Sequence, residues 1–209
     1  MAGWTKEQFD EAYSFEIEGY MGGRPNTRPG VRLSYHRSVM TPVLQARWDK
    51  LVPEILPIQK SDTVVIVGAG FGWGVEILRR KTGANVIGTD ISDWIMSAKD
   101  TDEEAEIDVC IRKVGLNPTS KRGLEIKKKY FTPGPRCVVT ILQEDIATAQ
   151  GRKNILTALG KMPNWVITED FIQTFSKKEA RKFDEQLREI KGATIVHLGK
   201  GGNIHEVVG

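Results

Sequence analysis

The residues best suited to chemistry gather around one glycine-rich stretch, Gly68-Ala69-Gly70-Phe71-Gly72-Trp73-Gly74. Glycine permits the positive-φ turns by which a strand hands over to a helix, and it lets a ligand lie against bare backbone. A helix starting there offers unpaired N–H groups to an anionic or polar group. The plainer reading is a tight turn without a ligand, but four alternating glycines are more than a turn needs. Asp90 follows about 20 residues later, the spacing at which a carboxylate receives both hydroxyls of a ribose. Its plainer role is to help cap the helix after Ser92. Three further acids, Asp145 and the pair Glu169-Asp170, follow other apolar runs. His197 is a candidate base, since imidazole titrates near neutrality, although a packed, hydrogen-bonded histidine is the commoner case.

These residues need a frame that brings them together. Thr63-Val-Val-Ile-Val67 is short, apolar and β-branched, as a buried parallel strand requires. A helix from about Trp73 to Lys81 follows, then a strand from Asn85 to Thr89 and a helix through Met96 and Ala98 capped by Ser92. Cys137–Leu142, Trp165–Thr168 and Ala193–Leu198 read as three more strands. Helices carrying Ile155, Leu156 and Leu159, and Ala180, Phe183, Leu187 and Ile190, lie between them. Ser176 and Glu179 form a capping box for the second of these. Alternation of strand and helix predicts an α/β doubly wound parallel sheet, and right-handed crossovers favour the order 3-2-1-4-5. Ligands bind such sheets beyond the carboxyl ends of the strands, at the switch point beside the first strand. Gly68–Gly74, Asp90, Asp145 and Glu169-Asp170 all fall at those ends.

The flanking segments divide the chain into residues 1–60, a helical cap or lid, and 61–209, the α/β domain with an insertion at about 100–136. Residues 5–18 read as a helix, and 19–36 are broken by glycine and proline. Tyr20, Tyr35, His36 and Arg37 lie in or just after that broken stretch, which either folds over a ligand or packs on the sheet. A second helix starts at Thr41 and Pro42, with Leu44, Trp48, Leu51 and Ile55 on one stripe and Pro53 marking a kink or an end. In the insertion, Thr101 and Glu104 form a capping box, Ile107, Cys110, Ile111 and Val114 share a face, and Gly115 stops the helix. Residues 117–136 hold Pro118, Pro133 and Pro135 around a basic stretch.

The strand and loop Val64-Val-Ile-Val-Gly-Ala-Gly-Phe-Gly72 resemble the first motif of class I S-adenosylmethionine-dependent methyltransferases, a Rossmann-like superfamily. The resemblance spans roughly residues 60–200. It implies S-adenosylmethionine as cofactor, held by Gly68, Ala69, Gly70, Phe71 and Gly72, with Asp90 and Ile91 at the ribose. It places Asp145 and Ile146 at the adenine. It also implies a catalytic or substrate-positioning role for Asp170 first and Glu169 beside it; either acid alternatively caps a turn. Ile66 departs from the family, which usually has an acid two positions before the first glycine. The eleven residues after Leu198 are too few for the family's two further strands, an antiparallel hairpin among them. The sheet is therefore expected to lack those strands, its edge left short or covered by a second copy in a homo-oligomer.

A dinucleotide fingerprint, G-x-G-x-x-G, is not met: from Gly68 its sixth position is Trp73, and from Gly70 it is Val75. NAD-dependent oxidoreduction stays open as an alternative because Asp90 suits NAD equally well. So does a non-catalytic module that binds S-adenosylmethionine or S-adenosylhomocysteine. Thr168-Glu-Asp-Phe171 is not the Asn/Asp-Pro-Pro-Tyr/Phe signature of amino-directed DNA methylation, and no Pro-Cys stands there for cytosine carbon methylation.

The 209-residue chain has 40% hydrophobic and 27% charged residues, as a globular core requires. A net charge of +3 gives no argument for nucleic acid. Basic residues from Arg112 to Arg136 either face an anionic substrate or form a solvated surface. No apolar run reaches the roughly 20 residues that span a bilayer, and the N-terminus lacks a signal-peptide core. Cys110 and Cys137 fit no metal or disulfide spacing, so the expected location is cytoplasmic, with no metal and no membrane partner. The methyl acceptor expected under the leading reading is a small molecule, a protein or a nucleic acid.

Overall fold

The structure, a computed structural model, describes residues 37, 41–92, 96, 102–113, 115–130, 139–169, 175–199 and 204–208. The expected helix at 5–18, residues Tyr20, Tyr35 and His36, the Thr101 cap, Cys137 and Asp170 lie outside these residues, as does the side chain of Cys110. The elements in chain order are α1 (Thr41–Leu51), β1 (Thr63–Val67), α2 (Trp73–Thr82), β2 (Asn85–Thr89), α3 (Glu103–Lys113) and α4 (Lys121–Tyr130). They continue with β3 (Ile141–Leu142), α5 (Ala149–Leu159), β4 (Trp165–Glu169), α6 (Lys177–Leu187), β5 (Thr194–Leu198) and β6 (Ile204–Val208). Two compact units result. One includes Leu44–Ile91 and Cys137–Gly209, and the other includes Arg37 and Ser92–Arg136.

The first unit holds a six-stranded sheet in the order β3-β2-β1-β4-β5-β6. Its first five strands are parallel, the doubly wound order 3-2-1-4-5 that the alternating pattern predicts. All five residues of β1 are buried, because helices cover both faces of the strand. Side chains alternate between the two faces. Val65, Val67, Ile87, Val166 and Ile195 share one core cluster with Ile155 and Leu159 of α5 and Phe183 and Leu187 of α6. The alternate residues, Val64, Ile66 and Ile167, are equally buried on the opposite face. Trp48, fully buried in α1, is the largest side chain of that helix's inner stripe. A fully buried side chain of this kind contributes about 1.5–3 kcal/mol of apolar transfer.

The amino ends of the strands are tied by polar side chains. Asn164 Oδ1 accepts from the Thr63 amide at 2.9 Å. Its own amide donates to Thr63 O, and its carbonyl accepts from the Thr194 amide, each at 2.8 Å. Asp62 Oδ2 takes the Trp165 indole N–H at 2.9 Å, and its carbonyl takes the Asn85 amide at 3.0 Å. Two residues thus connect β1, β2, β4 and β5 at one pole of the sheet.

Helix limits follow local chemistry. Glu179 and Ser176 make the reciprocal capping box of α6. Ser176 N–H donates to Glu179 Oε2 at 2.7 Å, and this bond first, with the Ser176 side chain second, holds the Glu179 carboxyl below the usual glutamate range. Thr148 caps α5 through the Gly151 amide. On the surface, the Lys81 ammonium of α2 lies 2.8 Å from Asp49 Oδ1 of α1 and keeps that carboxyl below its ordinary value, aided by Gln45.

Several sequence expectations need correction. α1 ends at Leu51, the early end that Pro53 offered, but Ile55 is not on its buried stripe: it is exposed in the turn Val52–Ile55, and Leu56 is buried instead. Among the described residues the third strand is only Ile141–Leu142, since Val139 and Thr140 are not in the ladder. The cap found at α3 is Asp102, whose Oδ1 accepts from the Ala105 amide at 3.1 Å. The basic stretch includes a helix, α4: Ser120 Oγ accepts from the Gly123 amide at 3.1 Å and starts it after the Asn117-Pro118 turn. Finally, the residues after Leu198 do form an antiparallel strand, β6, paired to β5 with an irregularity at His197/Leu198. The β5 edge is therefore covered by the chain itself rather than left short or to a second copy. A two-stranded antiparallel return needs only a short connection, which eleven residues supply.

The described residues of the second unit include the fully buried Ile107 and Ile111 of α3 and several ion pairs. Arg37 makes a two-pronged contact with Glu103, at 2.7 and 2.9 Å, both side chains about 10% exposed. Lys127 of α4 contacts Asp108 of α3, and Glu104 lies 3.8 Å from the same ammonium. Five of the cations from 112 to 136 are described with partners or exposure: Arg112 pairs with Asp108, Arg122 with Glu125, Lys127 with Asp108 and Glu104, and Lys121 and Lys128 are exposed.

Candidate functional site

The site is built at the carboxyl pole of the sheet, opposite the Asn164 ties. β1 lies between β2 and β4, so its end is the point where strand order reverses. Gly68, Gly70 and Gly72 all adopt positive φ, at 73°, 53° and 86°. Residues with a Cβ avoid that region, which is the physical reason for the alternating glycines. The loop is fastened to β2, with Thr89 O accepting from the Gly68 amide at 2.9 Å and from the Ala69 amide at 3.0 Å. Gly72 closes the turn on Ala69 O and begins α2 without a side-chain cap.

Asp90 reaches this loop directly. Its Oδ2 accepts from the Gly70 amide at 2.9 Å, and its own amide donates to Leu142 O at 3.0 Å. The side chain is 7% exposed. Asp90 therefore joins the glycine loop, β2 and β3, which is more than a helix cap does. Next to it, Thr89 Oγ1 is buried without a hydrogen-bond partner among the described residues. Ile91 is half-buried.

The fit of the backbone is tight. A Cβ on Gly72 would stand 2.6 Å from Val139 Cγ2 and 2.7 Å from Ile141 Cδ1. A Cβ on Gly88, within β2, would stand 2.5 Å from the Ala69 Cβ. Gly88 was not among the residues singled out from sequence, but a glycine inside a strand signals a close backbone approach. Ala69 and Phe71 are buried in the turn rather than open at its surface.

Asp145 and Ile146 follow β3. Asp145 Oδ1 accepts from the Ala147 amide at 2.9 Å, an Asx-type turn, and no partner of Oδ2 is found among the described residues. Ile146 is 1% exposed and belongs to the core cluster under the sheet. Glu144 accepts from Asn154 Nδ2 at 2.8 Å.

The remaining chemical candidates separate. Glu169 ends β4 and is buried, with Oε1 3.2 Å from Arg47 Nη1 of α1. Its carboxylate also lies against the first turn of α2, since a Cβ on Gly74 would meet Oε2 at 2.6 Å. His197 lies one residue before the end of β5, with Nδ1 2.9 Å from Thr168 Oγ1 and Nε2 3.4 Å from Asp184 Oδ1 of α6. Both ring nitrogens are engaged and the residue is 4% exposed. Glu169 faces α1 and α2, whereas His197 faces α6, so the structure does not bring them to one point. Arg47 was missed in the sequence. The available signal was an arginine on the stripe of Leu44, Trp48 and Leu51; its partner lies 122 residues away.

Among the described residues, no group of three or more His, Cys, Asp or Glu is placed to hold a metal, and no helix is long and apolar enough to cross a membrane. A groove of about 580 Å³ runs along α5, lined by Arg152, Lys153, Leu156 and Ile190 among others, but by no residue of the glycine loop and not by Asp90.

No protein-family model and no curated protein sequence matches the chain. Solved structures similar to it include a Methanococcus maripaludis protein provisionally described as an S-adenosyl-L-methionine-dependent methyltransferase. The identity is 9%, the TM-score 0.49, and the match covers 87% of this chain and 68% of that one. The magnesium protoporphyrin IX methyltransferase of Synechocystis gives 15% identity and a TM-score of 0.42, over 99% of this chain and 82% of that one. The glycopeptide N-methyltransferase MtfA gives 14% identity and a TM-score of 0.42; 75% of this chain spans 55% of its length.

Proposed function

We propose that the chain binds S-adenosylmethionine at the Gly68–Asp90 corner and transfers its methyl group to an acceptor yet to be identified. The observation carrying this reading is the 2.9 Å hydrogen bond from the Gly70 amide to Asp90 Oδ2, which puts a glycine loop and a ribose-type acid together at the switch point. The residues present fit such a cofactor: three positive-φ glycines expose backbone, Asp90 supplies acceptor oxygens, and α2 begins beside them without a side-chain cap.

When bound, S-adenosylmethionine supplies an electrophilic methyl on a sulfonium, already a good leaving group. The chain's own work is then binding and alignment. Asp90 would accept the ribose hydroxyls with Ile91 beside it, the start of α2 would receive the anionic end, and Asp145 would hold the adenine. Asp170 is the first candidate to position the acceptor or take its proton. Glu169 and His197 rank behind it because their described partners are Arg47, Thr168 and Asp184. That same observation favours a second reading, a binder of S-adenosylmethionine or S-adenosylhomocysteine that transfers nothing. An NAD enzyme is disfavoured by the broken fingerprint at Trp73 and Val75.

Thermal shift with S-adenosylmethionine, S-adenosylhomocysteine and NAD tests the cofactor, since a ligand selective for the native state raises its stability. Protection by NAD alone overturns the proposal. Methyl transfer from labelled cofactor into cell-extract fractions separates enzyme from binder, and nuclease or protease treatment of the labelled fraction identifies the acceptor class. The cytoplasmic location stays part of this proposal, supported by the two cysteines without disulfide spacing.

A further inference from the structure

The turn after β3 satisfies most of its own polar groups. Asp145 O accepts from the Thr148 amide at 3.0 Å and from Thr148 Oγ1 at 2.9 Å, while Asp145 Oδ1 accepts from the Ala147 amide at 2.9 Å. A Cβ on Gly151 would collide with the Asp145 carbonyl oxygen, so α5 starts hard against the turn. Arg152, in the first turn of α5, closes it from below. Its Nη1 donates to Ile146 O at 3.1 Å and to Ala147 O at 2.9 Å. Its Nη2 donates to the carboxylate of Glu189, which follows α6. The Arg152 side chain is 11% exposed and that of Glu189 61%. One guanidinium thus fixes two successive peptide planes, and a residue beyond α6 fixes the guanidinium.

Two groups of the turn are left over. Among the described residues, neither the Ile146 N–H nor Asp145 Oδ2 has a partner. Ile146 is 1% exposed, and an orphaned buried N–H is rare. A trans peptide points its N–H away from its carbonyl. With Asp145 O turned toward Thr148, the Ile146 N–H is turned away from the closed side of the turn. A donor and an acceptor one residue apart match the pairing edge of adenine, whose exocyclic amino group donates and whose neighbouring ring nitrogen accepts.

We propose that Arg152 is a positioning residue for base recognition: held by Glu189, it locks the Ile146 and Ala147 carbonyls, so that the Ile146 N–H and Asp145 Oδ2 keep the arrangement that suits adenine. This rests on the S-adenosylmethionine reading. Arg152 acts through the turn and touches no ligand.

Hypoxanthine reverses the pattern, with a carbonyl in place of the amino group and an N–H in place of the bare ring nitrogen. Affinities of S-adenosylhomocysteine and S-inosylhomocysteine for the full chain are measured by calorimetry. The wild-type chain is expected to prefer the adenine compound. Arg152→Met keeps an apolar stem of similar reach and removes the donors; it is expected to lower that preference by about tenfold. Glu189→Ala, at an exposed position, frees the guanidinium and is expected to lower it by about threefold. A general loss of stability weakens both ligands alike and leaves the preference where it was. Glu189→Ala decides the matter if Arg152→Met does not fold. An unchanged preference in either folded variant, or equal binding of the two compounds by the wild-type chain, overturns the inference alone. Failure of the wild-type chain to bind S-adenosylhomocysteine overturns the S-adenosylmethionine reading, and the inference with it.

Discussion

Thr168 and Glu169 are consecutive in β4 yet serve opposite faces of the sheet: the Thr168 hydroxyl meets His197 at 2.9 Å, and the Glu169 carboxylate meets Arg47 at 3.2 Å. Alternation along a strand dictates this divergence. One polar residue therefore anchors the α6 side and the other the α1 and α2 side, at the very end of the strand where the site begins.

The α6 anchor gives a first prediction. Thr168→Val keeps shape and removes the hydroxyl, leaving His197 Nδ1 buried without that partner. The expected loss is about 1–3 kcal/mol of stability, read as a lower urea midpoint at unchanged slope. Loss of methyl transfer in a variant that still binds S-adenosylhomocysteine and keeps its midpoint would instead restore His197 as a reacting group.

Asp90 gives the second. Asp90→Ala removes the acceptor of the Gly70 amide and, under the proposed function, of the ribose. Protection by S-adenosylhomocysteine in thermal shift is expected to vanish, with a cost to binding of about 1.5–3 kcal/mol, the range for a hydrogen bond to a charged group. Undiminished protection would remove Asp90 from the site.

Two glycines of like conformation provide the third. Gly72 and Gly160 have φ of 86° and 70°, but only at Gly72 would a Cβ meet other atoms within 4 Å. Gly160→Ala should cost about 1 kcal/mol, the penalty for an ordinary residue in the left-handed region. Gly72→Ala adds a collision with Val139 and Ile141, and overpacking raises its cost by a further 1–3 kcal/mol or so. Equal melting temperatures for the two variants would contradict the packing described at the loop.

The capping box of α6 yields a pH test. The bonds with Ser176 lower the folded carboxyl of Glu179 below its unfolded value. Its contribution is therefore present above the unfolded glutamate range and is lost as pH falls through the lower, folded value. Glu179→Gln should flatten that part of the acid limb by lowering stability at neutral pH toward its acid value. Ser176→Ala should cost about 1 kcal/mol at neutral pH. An identical acid limb in wild type and Glu179→Gln would contradict the assignment.

How much of this was legible in the sequence depends on distance along the chain. β1, α2 and β2 were readable because β-branched runs, alternating glycines and a helical stripe are local signals, and Gly70 and Asp90 had a recognisable spacing. The α4 helix was hidden by its charge and by the prolines flanking it at 118, 133 and 135, although Ser120 was an adequate cap. The sixth strand was missed because a count of residues left seemed too low for a hairpin, whereas an antiparallel return is economical. Arg47 was invisible for another reason: a charged residue on an apolar stripe reads as an irregularity until its partner in β4 is known. Asp170 lies outside the described residues, so the leading catalytic candidate rests on its place after β4 alone.

The ties made by Asn164 and Asp62 also bear on how tolerant this chain is of change. Strand register is held at the pole away from the glycine loop, by bonds spanning β1, β2, β4 and β5. A substitution among the loops at the other pole then alters a surface without letting the strands slip. Loops can be exchanged at the carboxyl pole of one scaffold, while replacing Asn164 disturbs the alignment of the strands at the opposite pole. Directed evolution of a new substrate should find its gains beyond the carboxyl ends, and a library built on residues 59–63 and 164 should yield mostly misfolded protein.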